Sequence, residues 1–377
     1  MNHTRRHALK VLSLALAISS LSFSAIANGD DNDDDGFRAG MVFTSTNAVA
    51  GNELLVYASA ANGPLRLQTR VATQGRGTGT GLGNQGAVTL SRNGRHLFVV
   101  NASSNSVSTF AIRRNGLTLQ STVESGGLRP ISVTEHEGIV YVLNADGTGN
   151  VTGFRNVDGT LKPLPNSTQP LSAAGGTGPA QVGFSPDGDV LLVTEKATNK
   201  LSSYRVGQDG RIGTPVVTAS AGLTPFGFAF DRRGHALVSE AFGGAANASA
   251  VSSYGFDDSA PAKPTVISAS VGTTQTAACW VVVTPNGRHA YVTNTGSGTI
   301  SSYSVQKSGK LALAQAIAAT SGAGPIDASL SADGRKLFVL NSGGNTIASY
   351  AVGSDGGLSS TGSVGGLPAG ANGLAAN

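Results

Sequence analysis

The chain is 377 residues long, with 52 glycines and only 13% charged residues, and its formal net charge is +4. That excess lies mostly at the start. Residues 1–27 hold Arg5, Arg6 and Lys10 and no acid, so beyond them 23 basic residues face 22 acidic ones. No dense basic patch remains, which argues against nucleic acid as a partner, and the composition suits many short strands and tight turns.

The first element is MNHTRRHALKVLSLALAISSLSFSAIANG. A basic start, an apolar run from Val11 to Ile18 and the small residues Ala25-Ile26-Ala27 predict an export signal over 1–27, cleaved near Ala27. The run is too short to remain as a membrane span, so no permanent insertion is expected. Arg5-Arg6 also fits a twin-arginine signal, although Ala8 stands where that motif prefers Phe, and a Sec signal reads equally well. A periplasmic or secreted chain follows from either. Residues 28–40 form an acidic linker around Asp30, Asp31, Asp33, Asp34 and Asp35, a solvated tether more than a calcium loop, because the downstream Glu of an EF-hand is missing. Cys279 is the sole cysteine, so no internal disulfide forms and stability must come from packing.

From residue 41 onward one pattern recurs. Strands ending at Tyr57, Phe110, Phe154, Tyr204, Tyr254, Tyr303 and Tyr350 mark seven units at spacings of 53, 44, 50, 50, 49 and 47 residues. Turns such as SPDG (185–188), TPNG (284–287) and SADG (331–334) supply the positive φ of tight hairpins, and the period of two in SVSTFAI and TISSYSV excludes helices. Four antiparallel strands repeated seven times predict an all-β, seven-bladed β-propeller over 41–377. The first unit lacks an inner strand, and the C-terminal GLPAGANGLAAN matches inner strands elsewhere. The last residues are therefore expected to complete blade one and close the ring. GLGNQG at 81–86 has the letters of a dinucleotide fingerprint, but an inner strand and not a helix follows it. It reads as a loop that shapes the channel mouth.

These repeats resemble the lactonase family of seven-bladed propellers, which includes bacterial 6-phosphogluconolactonases, and the broader YVTN-repeat propellers. Tyr291-Val292-Thr293-Asn294 is that motif letter for letter. The likeness covers 41–377 and implies the fold more firmly than an activity. Where family motifs of the form GPRH, HPHQ and NRG place His or Arg, this chain has GPAQ (178–181), LRPI (128–131) and NTG (294–296). A phosphorylated sugar lactone is therefore a poor expectation. Glu195 falls where the family has a Glu after Asn, with Thr194 before it here.

Candidate site residues follow from position in the repeat. The second strands end in Asn101, Asn144, Glu195, Glu240, Asn294 and Asn341, expected at the channel mouth, where each Asn either meets a ligand or bonds its own turn. Glu195 and Glu240, on adjacent blades, are expected as acid and base or as ligands of calcium or magnesium, against the reading of two solvated carboxylates. Inner strands start near Gln181, Trp280 and Asp327, with Arg129 just before Pro130. Trp280 either stacks on a ring-shaped ligand or packs the core, Cys279 beside it is an inert small hydrophobe, and Arg129 would stabilise charge on oxygen. His96, His136, His235 and His289 all follow hairpin turns and are expected as surface residues on the face opposite the pocket, which makes a Ser-His-Asp triad improbable. Two functions stand: a hydrolase or lyase acting on a small neutral or hydroxylated compound such as a lactone, or a non-catalytic periplasmic platform binding a ligand or protein. The chain is expected to be a monomer.

Overall fold

The structure is a computed structural model that describes residues 40–59, 64–113, 116–257 and 262–377. The expected export signal and acidic residues 28–39 lie outside the described residues. Seven antiparallel sheets belong to one compact unit. Their innermost strands are Asn372–Ala376, Val88–Leu90, Leu128–His136, Pro179–Phe184, Pro225–Phe230, Ala278–Val283 and Pro325–Leu330. Each touches the next, and Asn372–Ala376 sits between Pro325–Leu330 and Val88–Leu90, so the circle closes. Blade three departs from the repeat, because Thr160–Pro163 and Gln169–Pro170 both pair with Asn150–Val157 and split its outer strand in two.

Closure uses the C-terminus as expected. Val42 pairs with Ala376 and Phe43 with Ala375, and the Met41 N–H donates to Asn377 Oδ1 at 2.8 Å. This strand covers the edge that blade one would otherwise expose. Leu374 then packs into an apolar cluster with Val42, Leu55 and Phe338.

The recurring phrases have local causes. In the hairpin at 185–190, the Ser185 hydroxyl donates to Asp187 Oδ1, Asp187 Oδ1 accepts the Asp189 N–H, and Ser185 Oγ accepts the Val190 N–H. Residues 91–96, 284–289 and 331–336 repeat the arrangement with Asn93, Asn286 and Asp333 in the central role. The aromatic anchors are all buried, and four of the tyrosines also tie blades together. Tyr204, Tyr303 and Tyr350 donate to Pro170, Val271 and Thr320 carbonyls of the preceding blade at 2.8 Å, and Tyr254 Oη accepts the Ala221 N–H at 2.8 Å. A buried ring with its hydroxyl satisfied contributes about 1.5–3 kcal/mol of apolar burial without an orphaned polar group.

Candidate functional site

The ring of polar strand ends points into the blades and not into the channel. Asn101, Asn144, Glu195, Glu240, Asn294 and Asn341 are all fully buried. An innermost strand stands between each of them and the axis, and their partners are the adjacent strand and the loop leaving the outer strand. Asn101 donates to Ser108 Oγ (2.8 Å) and accepts from Thr73 Oγ1 (2.7 Å) and Asn52 Nδ2 (3.0 Å). Asn144 donates to Ser125 O and Asn150 Oδ1, Asn294 to Thr299 and Ser301 hydroxyls, and Asn341 to Ser321 O and Thr346 Oγ1.

The two glutamates occupy the same place in blades four and five. Glu195 accepts from the Ser172 N–H (2.9 Å), the Ser172 hydroxyl, Thr198 Oγ1 (2.9 Å) and Ser202 Oγ (2.6 Å). Glu240 accepts from the Gly222 N–H (2.8 Å), Ser252 Oγ and Ser270 Oγ (2.7 Å). Burial pushes the Glu240 carboxyl above its ordinary range, against the pull of these hydrogen bonds. The expectation of a shared opening between the two is corrected here: each is enclosed in its own blade with its oxygens engaged. That arrangement also leaves no room for calcium or magnesium, whose ligand oxygens must converge. Among the described residues no group of three or more His, Cys, Asp or Glu converges as a metal site.

The open space is the channel itself. A cavity of about 500 Å³ runs along the inner strands of blades two to seven, and a smaller one of about 240 Å³ continues it beside blades seven and one. Inner-strand edges would present bare N–H and C=O groups to this space, and side chains from neighbouring blades satisfy them. Gln181 exchanges both amide atoms with the Phe228 backbone (3.0 and 2.6 Å), Ser239 donates to Gly227 and Cys279 carbonyls, and Thr89 donates to Val133 O.

One end of the channel is covered by the glycine-rich loop. Fifteen residues separate Ala72 from Val88, against three between Glu124 and Leu128, and the extra length lies across the axis. Gln85 bonds both backbone groups of Val281 in blade six, and its own N–H donates to Ala180 O in blade four. Asn84 donates to Ile131 O in blade three and accepts the Trp280 indole N–H at 2.7 Å. Lys196 Nζ donates to Gly83 O and, at 3.0 Å, to Pro179 O, with its ammonium 4.6 Å from the centre of the Phe226 ring. Burial brings the Lys196 pKa down to about 8. The loop does shape the channel, by sealing its loop-side end. Trp280 is therefore a buried clamp on that loop, packed on Phe226 at 5.0 Å. Arg129 lies on the same sealed side, half-exposed, ion-paired with Asp146 at 3.3 Å, and it lines neither cavity.

Asp327 and Gln181 do line the channel. The Asp327 side chain is 2% exposed and accepts the Ala328 N–H at 2.8 Å. Burial raises its pKa well above the ordinary 3.8, opposed only by backbone N–H groups, and so favours the protonated form of this carboxyl.

The channel opens on the hairpin side, between Arg92, Glu135, His136 and Pro186. This corrects the placing of His136 away from the pocket, whereas His96, His235 and His289 line neither channel cavity. Arg92 Nη1 donates to His136 Nε2 (2.8 Å) and to Pro186 O, while Glu135 accepts the Arg92 N–H (2.8 Å) and the Gly138 N–H (2.6 Å). Sequence reasoning missed Gln85, Arg92, Lys196 and His136, and the long 73–87 connection was the one signal for the first. A larger hollow of about 1020 Å³, among hairpins of blades six, seven and one, contains none of the expected site residues.

The sequence matches the family described as "Lactonase, 7-bladed beta-propeller" over residues 50–168, 146–260 and 261–368. No curated protein matches it in sequence. Among solved structures, a candidate 6-phosphogluconolactonase of Bacteroides uniformis is 20% identical with a TM-score of 0.69, over 88% of this chain and 98% of that one. A periplasmic gluconolactonase of Pseudomonas aeruginosa is 18% identical with a TM-score of 0.67, over 88% and 99%. A candidate 6-phosphogluconolactonase of Bacteroides fragilis is 16% identical with a TM-score of 0.64, over 89% and 98%. At such identities these likenesses bear on the fold alone.

Proposed function

Because the chain belongs to the lactonase family of seven-bladed β-propellers, we propose that it is a hydrolase that opens a small, neutral, hydroxylated lactone inside the central channel. The observation that carries this reading is Asp327, a carboxyl buried on the channel wall whose partners are backbone N–H groups and whose burial favours the protonated form. Water adds to the lactone carbonyl carbon, the ring C–O bond breaks, and the leaving oxygen takes a proton to give a hydroxy acid. Asp327 donates its O–H toward the carbonyl oxygen as negative charge grows there, in a site where a fixed donor is worth far more than in bulk water. Thr89, Gln181 and Ser329 supply neutral groups for the substrate hydroxyls. The substrate class in this reading is taken from the periplasmic gluconolactonase among the structural neighbours, and an exported location from the signal read in residues 1–27.

Glucono-1,5-lactone hydrolysis, followed by acid release, tests the proposal. Asp327→Ala is expected to lower kcat about 100-fold, the scale set by losing one oxyanion donor. A wild-type rate equal to the spontaneous one, or an unimpaired variant, would overturn it. The second reading, a non-catalytic periplasmic platform for a ligand or protein, draws on the saturation of Glu195 and Glu240, which removes the most obvious acid–base pair. Lactone binding without turnover would favour it.

A further inference from the structure

We propose that Arg92 is the specificity-determining residue of the channel mouth, engaging a carboxylate through its free guanidinium donors. The inference rests on the lactonase reading, because ring opening deeper in the channel turns a neutral substrate into a carboxylate product that must leave past the mouth.

Three observations carry it. First, Arg92 is the only lysine or arginine among the channel-lining residues, and with residues 83–85 across the far end every ligand passes it. Second, its guanidinium is already oriented. Nη1 reaches from blade two across His136 of blade three to the Pro186 carbonyl of blade four, which leaves Nε and Nη2 to donate elsewhere. Third, no carboxylate among the described residues neutralises it. Glu135, which also lines the mouth, accepts from the backbone N–H groups of Arg92 and Gly138 and not from the guanidinium. The mouth thus holds one cation, Arg92, beside one acid, Glu135, and no carboxylate is bonded to the guanidinium itself.

The test uses gluconate and its neutral counterpart of equal length, glucitol, as probes in titration calorimetry on the full chain. Wild type is expected to bind gluconate more tightly than glucitol, with the preference fading as salt rises. Arg92→Gln is expected to weaken gluconate about tenfold and leave glucitol unchanged, and Arg92→Lys is expected to recover only part of the loss, because an ammonium lacks the guanidinium fork. Equal binding of the two probes by wild type, or unchanged gluconate binding by Arg92→Gln in a protein with wild-type melting, overturns the inference. The two proposals fail separately. Loss of turnover in Asp327→Ala with an indifferent Arg92→Gln leaves the hydrolase standing without this residue's role, and Arg92-dependent gluconate binding without lactone turnover does the reverse.

Discussion

Inside blade four the Glu195 carboxylate collects a backbone N–H and three hydroxyls, while Asp327 on the channel wall accepts only from the backbone. The two acids therefore do different work. Glu195→Ala strands several buried donors at once, and unsatisfied buried groups cost about 1–3 kcal/mol each. A fall in melting temperature is expected, with kcat at a folding-permissive temperature unchanged. A 100-fold loss of kcat without a melting change would return Glu195 to the chemistry. Asp327 governs pH dependence instead. Its folded pKa lies well above 3.8, so as pH rises from about 4 the unfolded chain loses this proton before the folded one does, and stability falls. Glu240 contributes with the same sign. Melting profiles between pH 4 and 8 should show Asp327→Asn gaining on wild type as pH rises, and parallel profiles would refute the raised pKa. Nothing in the letters around Asp327 separates it from Glu195. Both close or open an apolar strand, and only the position of that strand relative to the axis decides which one meets ligand.

Single elements were far more legible than side-chain roles, because hairpin chemistry and the period of two are local. The Ser-x-Asp-Gly turns and the matching of residues 366–377 to inner strands both hold in the structure. Deleting 366–377 should reduce the melting temperature on the order of 10 °C or more, since it uncovers the Met41–Ser45 edge and removes Leu367 and Leu374 from a buried cluster. An unchanged melt would sink the closure. The histidines needed more than local information. His96 and His289 start second strands and His235 immediately precedes one, and they rest against Gly159, Gly356 and Gly309 in hairpins of the next blade, where an added Cβ would collide with the imidazole of His235 or His289. Equivalent places in a repeat suggested plain surface turns, but the neighbouring blade turns them into interblade contacts. The sealing loop was hidden for a similar reason, because its partners lie 47 to 196 residues away.

At the scale of the molecule, the ring concentrates polarity in two separate shells. The outer one, at the second-strand ends, is buried and bonded within the blades, although the Asn144 and Asn294 amide oxygens have no partner among the described residues; the inner one meets the channel. Calcium or magnesium at millimolar concentration is accordingly expected to leave the melting temperature unchanged, and a rise abolished by the double change of Glu195 and Glu240 to Gln would overturn that. The loop at 81–86 sets a further rule for what the protein can handle. A cylinder stoppered at its base cannot be threaded, so an oligosaccharide or other polymer could offer only its terminus, never an internal unit, and whatever is formed at the bottom must back out along the way it came.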